Sequence, residues 1–364
     1  MVHGDENVIV FVSGGQQEES TERVIATIWN DLKCYTLEVE EDDDKVDEII
    51  KTLGVRVRTE VCLSDDTWIR DTGASYVVSC EKEEEGGGGK LAAVDWEFNA
   101  YGGEFGGGCY WPCEKDRLIA STTSGILSEM EFGEYGKVDK VEEVIKCPII
   151  LEGGSFHVDG EGTVLVTEEC LLNSNRNPTL SKEEIEVYLN EYLDTSKVIW
   201  LPNGLVADDD TNGHIDNFAC FVRPGVICLA WTDDESDPQY EISLKASEII
   251  KSEKDAAGRD IEVVKIYTPT VMHMTTTEHE GVSGAENFVA RSKGQRLAGS
   301  YINFYIANKA FIIPGFGDAE FDKKAVEDLR KVSGDREVIQ IDTRNILIGG
   351  GNIHCVTQQV PKVI

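Results

Sequence analysis

"GGSFHVDGEGTVLVTEE", residues 153–169, sets two short apolar stretches on either side of a Gly-rich reversal. That pattern predicts a β-hairpin. The same shape returns in "HIDNFACFVRPGVICLAW" (214–231) and in "SYINFYIANKAFIIPGFG" (300–317). It occurs earlier as "GASYVVSCEKEEEGGGGKLAAVDW" (73–96), with an acidic, Gly-rich loop inserted at 81–90. "GGGNIHCVTQQV" (349–360) reads as the start of a fifth copy that the chain end cuts short.

Between the copies lie stretches with helical periodicity: "SKEEIEVYLNEYL" (181–193), "DPQYEISLKASEIIKSEK" (237–254) and "DKKAVEDLRKVSG" (322–334). The first opens on a Ser cap with Glu in its first turn. Each is followed by a short apolar strand, "SKVIWLP", "IEVVKIY" or "EVIQID". One unit is therefore strand–strand–helix–strand, and its repetition suggests radial or solenoid stacking. A polar residue recurs at a similar place in each unit: Asp71, Glu152, His214, Ser300 and Cys355. Copies arranged about an axis would bring these strand starts together at the centre.

Composition narrows the function classes. The chain has 364 residues, 41% of them hydrophobic, enough for a large core read as one domain over 1–364. No stretch approaches eighteen apolar residues, so no membrane span is expected. The opening "MVHGDENVIVFVSGG" reads as a strand rather than a secretory leader, which makes a cytoplasmic location the expectation. The ten cysteines include no CxxC pair, and free thiols are expected. With 68 acidic against 34 basic residues the formal charge is −34. Phosphate backbones would be repelled, which excludes nucleic acid as the expected partner. The same field attracts small cations, although runs such as "EVEEDDDKVDE" (38–48) are mainly solubilising surface.

The recurring polar positions supply a thiol, an imidazole and several carboxylates, most of them beside glycine. Cys with His is the minimal set for thiolate catalysis. Paired carboxylates form a clamp for a planar, forked cation such as a guanidinium. His214 and Asp216, two apart, share a face if their segment is a strand. Trp68 and Tyr101 are aromatic neighbours suited to cover a cation. Each residue also has a structural reading: Cys355 as a buried thiol, His214 as a bonded core histidine, Asp71 as a turn cap and Glu152 as a loop anchor. His157 and His354 are out of step with the polar set and read as structural. No HxxxH or HExxH spacing points to a metal.

"WIRDTG" (68–73), "LEGGSFHVDGEGTVLVTEECLLNSNRNP" (151–178), "DDDTNGHIDNFACFVRPGV" (208–226), "WTDDESDPQY" (231–240), "SYINFYIANKAFIIPGFGD" (300–318) and "GGGNIHCVTQQ" (349–359) together resemble the agmatine deiminases. The resemblance runs in order from about residue 60 to the end. More widely these belong to the peptidyl-arginine deiminase-like, guanidino-group-modifying superfamily. That implies an α/β pentein propeller of five ββαβ modules around a pseudo-fivefold axis. It also implies hydrolysis of agmatine to N-carbamoylputrescine and ammonia, a step toward putrescine, with neither metal nor organic cofactor. Cys355 then corresponds to the nucleophile, His214 to the general acid and base, Asp71 and Asp216 to the guanidinium clamp, and Glu152 to a residue orienting His214. Trp68, Asp210, Tyr101, Gly350 and Gly351 correspond to substrate-binding positions. The resemblance allows a homodimer.

Two departures stand out. The chain opens without the family's Trp-rich segment, so the first module is expected to be shortened, with Ser-Gly where Trp-Pro would stand. "NAYGG" (99–103) puts Tyr101 where the family has an indole. The alternatives left open are a deiminase acting on arginine, a methylated arginine or a peptidyl arginine, and a non-catalytic guanidine- or polyamine-binding relative.

Overall fold

The computed structural model describes residues 62–79, 89–129, 140–281, 291–361 and 363, together with the strands at 24–30 and 33–39 as backbone. The chain is a mixed α/β structure of small sheets, in which one unit recurs four times. In the first, β3 (Ser75–Val78) pairs antiparallel with β4 (Leu91–Glu97), and α2 (Ile119–Glu129) leads to β5 (Val141–Ile150), parallel to β4. The second is β6 (Phe156–Val158), β7 (Thr163–Thr167), the short α3 (Glu168–Leu171), α4 (Lys182–Leu193) and β8 (Lys197–Leu201). The third is β9 (Ala219–Arg223), β10 (Val226–Trp231), α5 (Pro238–Ser252) and β11 (Glu262–Tyr267). The fourth is β12 (Tyr305–Ile306), β13 (Ala310–Gly315), α7 (Ala319–Arg330) and β14 (Glu337–Asp342). A further antiparallel pair, β1 (Val24–Asn30) with β2 (Lys33–Val39), lies near the start of the chain.

The helices begin where side chains can satisfy their first N–H groups. Ser181 and Glu184 form a reciprocal capping box on α4, and Asp237 and Asp318 cap α5 and α7. The Asp318 cap starts α7 three residues earlier than the periodicity predicts. Helix α2 carries no such signal. Its Thr123, Ser124 and Ser128 hydroxyls bond back to the carbonyls of Ile119, Ala120 and Ser124, and burial holds it in place.

The four hairpins stand where the sequence puts them, but two local readings need correction. Residues 351–361 contain no strand; Ile353–Val356 is a turn after the short helix α8 (Arg344–Gly349), so "GGGNIHC" does not open a fifth hairpin. His214 and Asp216 lie not on a strand but at a 3-10 turn, Ile215–Asn217, just ahead of β9. The insertion tip at 80–88 and the expected strand and Ser-Gly at the chain start lie outside the described residues.

The main core runs through the third and fourth units, with Phe218, Phe221, Ile227, Leu229, Phe311 and Ile313 fully buried. The C-terminal stretch returns to the first unit. Val360 packs with Ala74, Leu91 and Ala120, and the Arg70 amide donates to the Cys355 carbonyl at 3.0 Å. That return brings residues nearly three hundred positions apart into one site.

Candidate active site

Short connecting segments at one end of the sheets carry the polar residues, while buried strands fix their positions. Asp71 sits in α1 (Ile69–Thr72), and Glu152 and Gly154 precede β6. His214 and Asp216 precede β9, and Cys355 lies in the final turn. A Cβ built on Gly154 would lie 2.7 Å from His214 Nδ1, 2.9 Å from Asp71 Oδ1 and 3.0 Å from Asp216 Oδ2. Side chains from two segments far apart in sequence thus converge on a space that only a missing side chain leaves open. Gly154→Ala is expected to lower kcat/KM about a hundredfold, the cost of misplacing reacting groups by roughly an ångström, with the melting temperature little changed. Activity within threefold of the parent would show that this space is not the reaction site.

His214 is fully buried, and neither ring nitrogen has a hydrogen-bond partner. Nδ1 lies 3.9 Å from Asp71 Oδ1 and Nε2 lies 3.9 Å from Glu152 Oε2, close enough for Coulomb attraction and too far for a hydrogen bond. A buried polar ring left unpartnered is costly unless something else completes it. Glu152 is held by Arg176, whose Nε donates to Oε1 at 2.6 Å, both side chains being buried. Arg176 is held in turn by Asn175, Asn212 and the Thr211 carbonyl.

The two aspartates have different surroundings. Asp71 accepts the Gly154 amide at 2.8 Å and the Tyr101 hydroxyl at 2.9 Å. Burial raises its pKa to about 6, against the lowering influence of His214. Burial also works against Asp216, but a 2.7 Å bond to His354 Nδ1 and the nearness of the His354 and His214 rings and of Arg70 more than offset it. Asp216 is therefore held below the ordinary carboxylate range. Cys355 Sγ lies 3.5 Å from Asp216 Oδ2 and accepts from Asn303 Nδ2 at 3.2 Å. Burial, then Asp216 and Asp71, push the thiol well above its usual value. At neutral pH the site thus combines two carboxylates with a protonated thiol, an arrangement that a cation would rebalance.

Glu152, Cys170 and His214 bring potential ligand atoms within 4.8 Å of one another, the one such trio among the described residues. Arg176 already occupies Glu152, and burial keeps the Cys170 thiol protonated, so the donor set is poorly matched to a metal ion. All eight cysteines whose side chains are described are free thiols.

The remaining expected residues surround the same space. Trp68 lies against Gly349 and Gly351, and a Cβ on Gly351 would meet the Trp68 ring at 2.6 Å and Cys355 Sγ at 2.9 Å. Tyr101 is buried with its ring tilted edge-to-face against that of His214, and its backbone, like that of Ala100, has positive φ. Such strain in a bulky residue persists only where neighbours over-determine it. Here Asn99 bonds the Gly102 amide, and Asn175 bonds the carbonyls of Tyr101 and Gly106. Asp210 pairs with Arg291 beside Gly350.

Sequence reasoning missed four contributors. In the fourth unit Asn303, not Ser300, reaches the thiol; Ser300 bonds only its own turn, at the Ile302 amide. His354, read as structural, bonds Asp216 directly. Arg176 and Arg291 pair with expected site residues. Arg176 stands inside the quoted stretch 151–178 and Arg291 outside every such stretch, but in neither case does the local sequence say which carboxylate the guanidinium will meet. His157 keeps a structural environment: it accepts from the Phe221 amide, and burial depresses its pKa to about 3.

This constellation of a buried thiol, an imidazole and carboxylates sits within a chain whose residues 7–361 match the family model of the Porphyromonas-type peptidyl-arginine deiminases. The chain belongs to that family. Among this family chain's relatives is the agmatine deiminase of Medicago truncatula, 46% identical over 311 residues, which span 84% of this chain and 79% of that one. Among solved structures, an agmatine deiminase of Enterococcus faecalis superposes with a TM-score of 0.72 at 38% identity, covering 83% of this chain and 76% of its own. A C. jejuni agmatine deiminase, a cysteine-to-serine variant with substrate bound, superposes with a TM-score of 0.67 at 28% identity, covering 89% of this chain and 81% of its own. Among the described residues no helix is long and apolar enough to cross a membrane.

Proposed function

We propose that this chain hydrolyses agmatine to N-carbamoylputrescine and ammonia, with Cys355 as nucleophile and His214 as general acid and base. The observation that carries the reading is the buried, unpartnered His214 ring, which shares the space at Gly154 with Asp71 and Asp216. A guanidinium placed there meets two carboxylates with its forked N–H groups and brings its central carbon toward the thiol. Its positive charge offsets the carboxylates that hold the thiol protonated, and the thiol proton passes to His214. The thiolate attacks the guanidinium carbon, His214 returns the proton to the departing nitrogen, and the C–N bond breaks to release ammonia. A covalent thiouronium remains on Sγ. Water attacks the same carbon as His214 takes its proton, the C–S bond breaks, and the ureido product leaves.

Homology supports agmatine as the substrate: a relative at 46% identity is an agmatine deiminase, and one solved relative holds its substrate with the cysteine replaced by serine. On the same grounds we read the four ββαβ units, with β1 and β2, as a single pentein catalytic domain of five modules about a pseudo-fivefold axis. The test is ammonia release from agmatine beside arginine. Turnover of agmatine in clear preference to arginine supports the proposal, and a folded chain that turns over neither ends it.

The pKa of Asp71 gives this reading a pH signature. Above about 6 its carboxylate is ionised and can hold a guanidinium; below that it protonates and loses the cation. A plot of kcat/KM for agmatine should fall roughly tenfold per pH unit on the acid side of a midpoint near 6. The limb should vanish in Asp71→Asn, on a much reduced rate. A profile flat down to pH 4.5 would contradict the clamp role of Asp71.

A further inference from the structure

Arg291 lies between α6 (Thr276–Gly281) and β12, with its guanidinium side chain 7% exposed. Its Nε donates to the Ile348 carbonyl at 3.1 Å, and its Nη2 pairs with Asp210 Oδ2. A Cβ on Gly350 would fall 2.6 Å from Arg291 Nη2 and 2.8 Å from Asp210 Oδ2, so glycine there is what lets the pair reach the final loop. One residue on, Gly351 abuts Cys355 Sγ and the Trp68 ring. With consecutive Cα atoms about 3.8 Å apart, the pair and the thiol are separated by no more than about 12 Å. A four-methylene chain between a guanidinium at the thiol and a cation at Asp210 is shorter than that bound, and Trp68 lies at its thiol end, against Gly351.

We infer that Arg291 is a positioning residue for tail selection: it fixes the Asp210 carboxylate to receive an ammonium, and Asp210 in turn masks the guanidinium that would otherwise attract a carboxylate. This rests on the agmatine reading and deepens it. An α-amino acid such as arginine places both an ammonium and a carboxylate at the tail. The carboxylate would meet Asp210, and the cation suited to bind it is already engaged. Selectivity at this end thus comes from a repulsive element as much as from an attractive one. Asp210 is half-buried, and burial works against its ionised form; the neighbouring guanidinium opposes that effect. The Asp210 pKa stays above its ordinary value, and the pair limits that rise.

The test measures kcat and KM for agmatine and for arginine in the intact chain and in Arg291→Gln, Arg291→Lys, Asp210→Asn and the double variant Arg291→Gln/Asp210→Asn. Arg291→Gln should raise KM for agmatine about tenfold with kcat within about twofold, and Arg291→Lys should recover most of that loss. Asp210→Asn should move the agmatine-to-arginine ratio of kcat/KM about a hundredfold toward arginine, because it removes an acceptor and exposes a cation. The double variant should not show that swing, since the exposed cation is gone. An unchanged ratio in Asp210→Asn overturns the proposal, as does an equal fall of kcat in Arg291→Gln and Arg291→Lys, the mark of a merely structural role. If the intact chain releases ammonia from neither substrate, the deiminase reading fails. The pair is then judged by how far agmatine and arginine each protect Cys355 from 2-chloroacetamidine in the same variants, with the same ratio deciding it.

Discussion

Cys355→Ala lowers ammonia release from agmatine by at least about 10⁴-fold, because no other group in the site can form the covalent intermediate. Asn303 and Asp216, the side chains that touch Sγ, are an amide and a carboxylate, neither suited to attack a guanidinium carbon. Two other described thiols lie near the site, Cys170 beside Glu152 and His214 and Cys109 at the Asp210 carbonyl, and burial holds both protonated. The substitution should leave the fold intact. Cys355 contributes a single buried sulfur, and truncating so small a group costs about 1–2 kcal/mol at most. The variant should also still bind agmatine, since Asp71, Asp216 and the Asp210–Arg291 pair are untouched. Calorimetric binding with no turnover is therefore the expected joint result. Turnover above about one per cent of the parent would mean that another nucleophile acts and that the final loop has been misread.

The hairpins were legible because their signal is local. A period-two apolar pattern broken by Gly-rich turns survives in any tertiary context, and each of the four stands where the pattern puts it. Helices with strong caps were legible for the same reason. Helix α2 was not, because its serines and threonines favour helix only once burial removes the competing bonds to water. The final loop was misread as a strand start: an apolar pair after glycines looks the same whether it enters a sheet or turns against one. Within the site, the residues whose side-chain type announces the chemistry were readable, and those that act by holding another residue were not. Nothing local to Arg176, Arg291 or Asn303 says that it will lie against Glu152, Asp210 or Cys355. His354 shows the sharper failure. Alternation assigned it to the face opposite its neighbour, but a turn has no alternating faces, and the ring reaches Asp216.

The site's electrostatics follow from this convergence. Four carboxylates, Asp71, Glu152, Asp210 and Asp216, surround one reaction space; Glu152 and Asp210 are matched by guanidinium groups from elsewhere in the chain, Arg176 and Arg291, and Asp216 by a hydrogen bond to His354, whose own pKa burial lowers. Asp71 has the Gly154 amide and the Tyr101 hydroxyl instead, both neutral. It is accordingly the carboxylate whose ionisation burial most compromises and a substrate cation most restores.

Asp216→Asn tests that account from the opposite side, because its two consequences run in opposite directions. The amide keeps the volume and can still accept from His354, so the fold should hold. The guanidinium loses one arm of its clamp, and removing one charge from a buried, hydrogen-bonded pair costs about 3–5 kcal/mol, or roughly 10²–10⁴-fold in kcat/KM. The thiol responds the other way. After burial itself, Asp216 is the main influence pushing Cys355 upward, so its removal should make the free thiol easier to ionise. Alkylation of Cys355 by neutral iodoacetamide, followed against pH, should therefore begin at lower pH in the variant than in the parent, even as agmatine turnover collapses. A structural lesion would instead expose several of the buried cysteines together and lower the melting temperature. If alkylation of Cys355 keeps its parental pH dependence while turnover falls, Asp216 acts only on the substrate and its field does not govern the nucleophile.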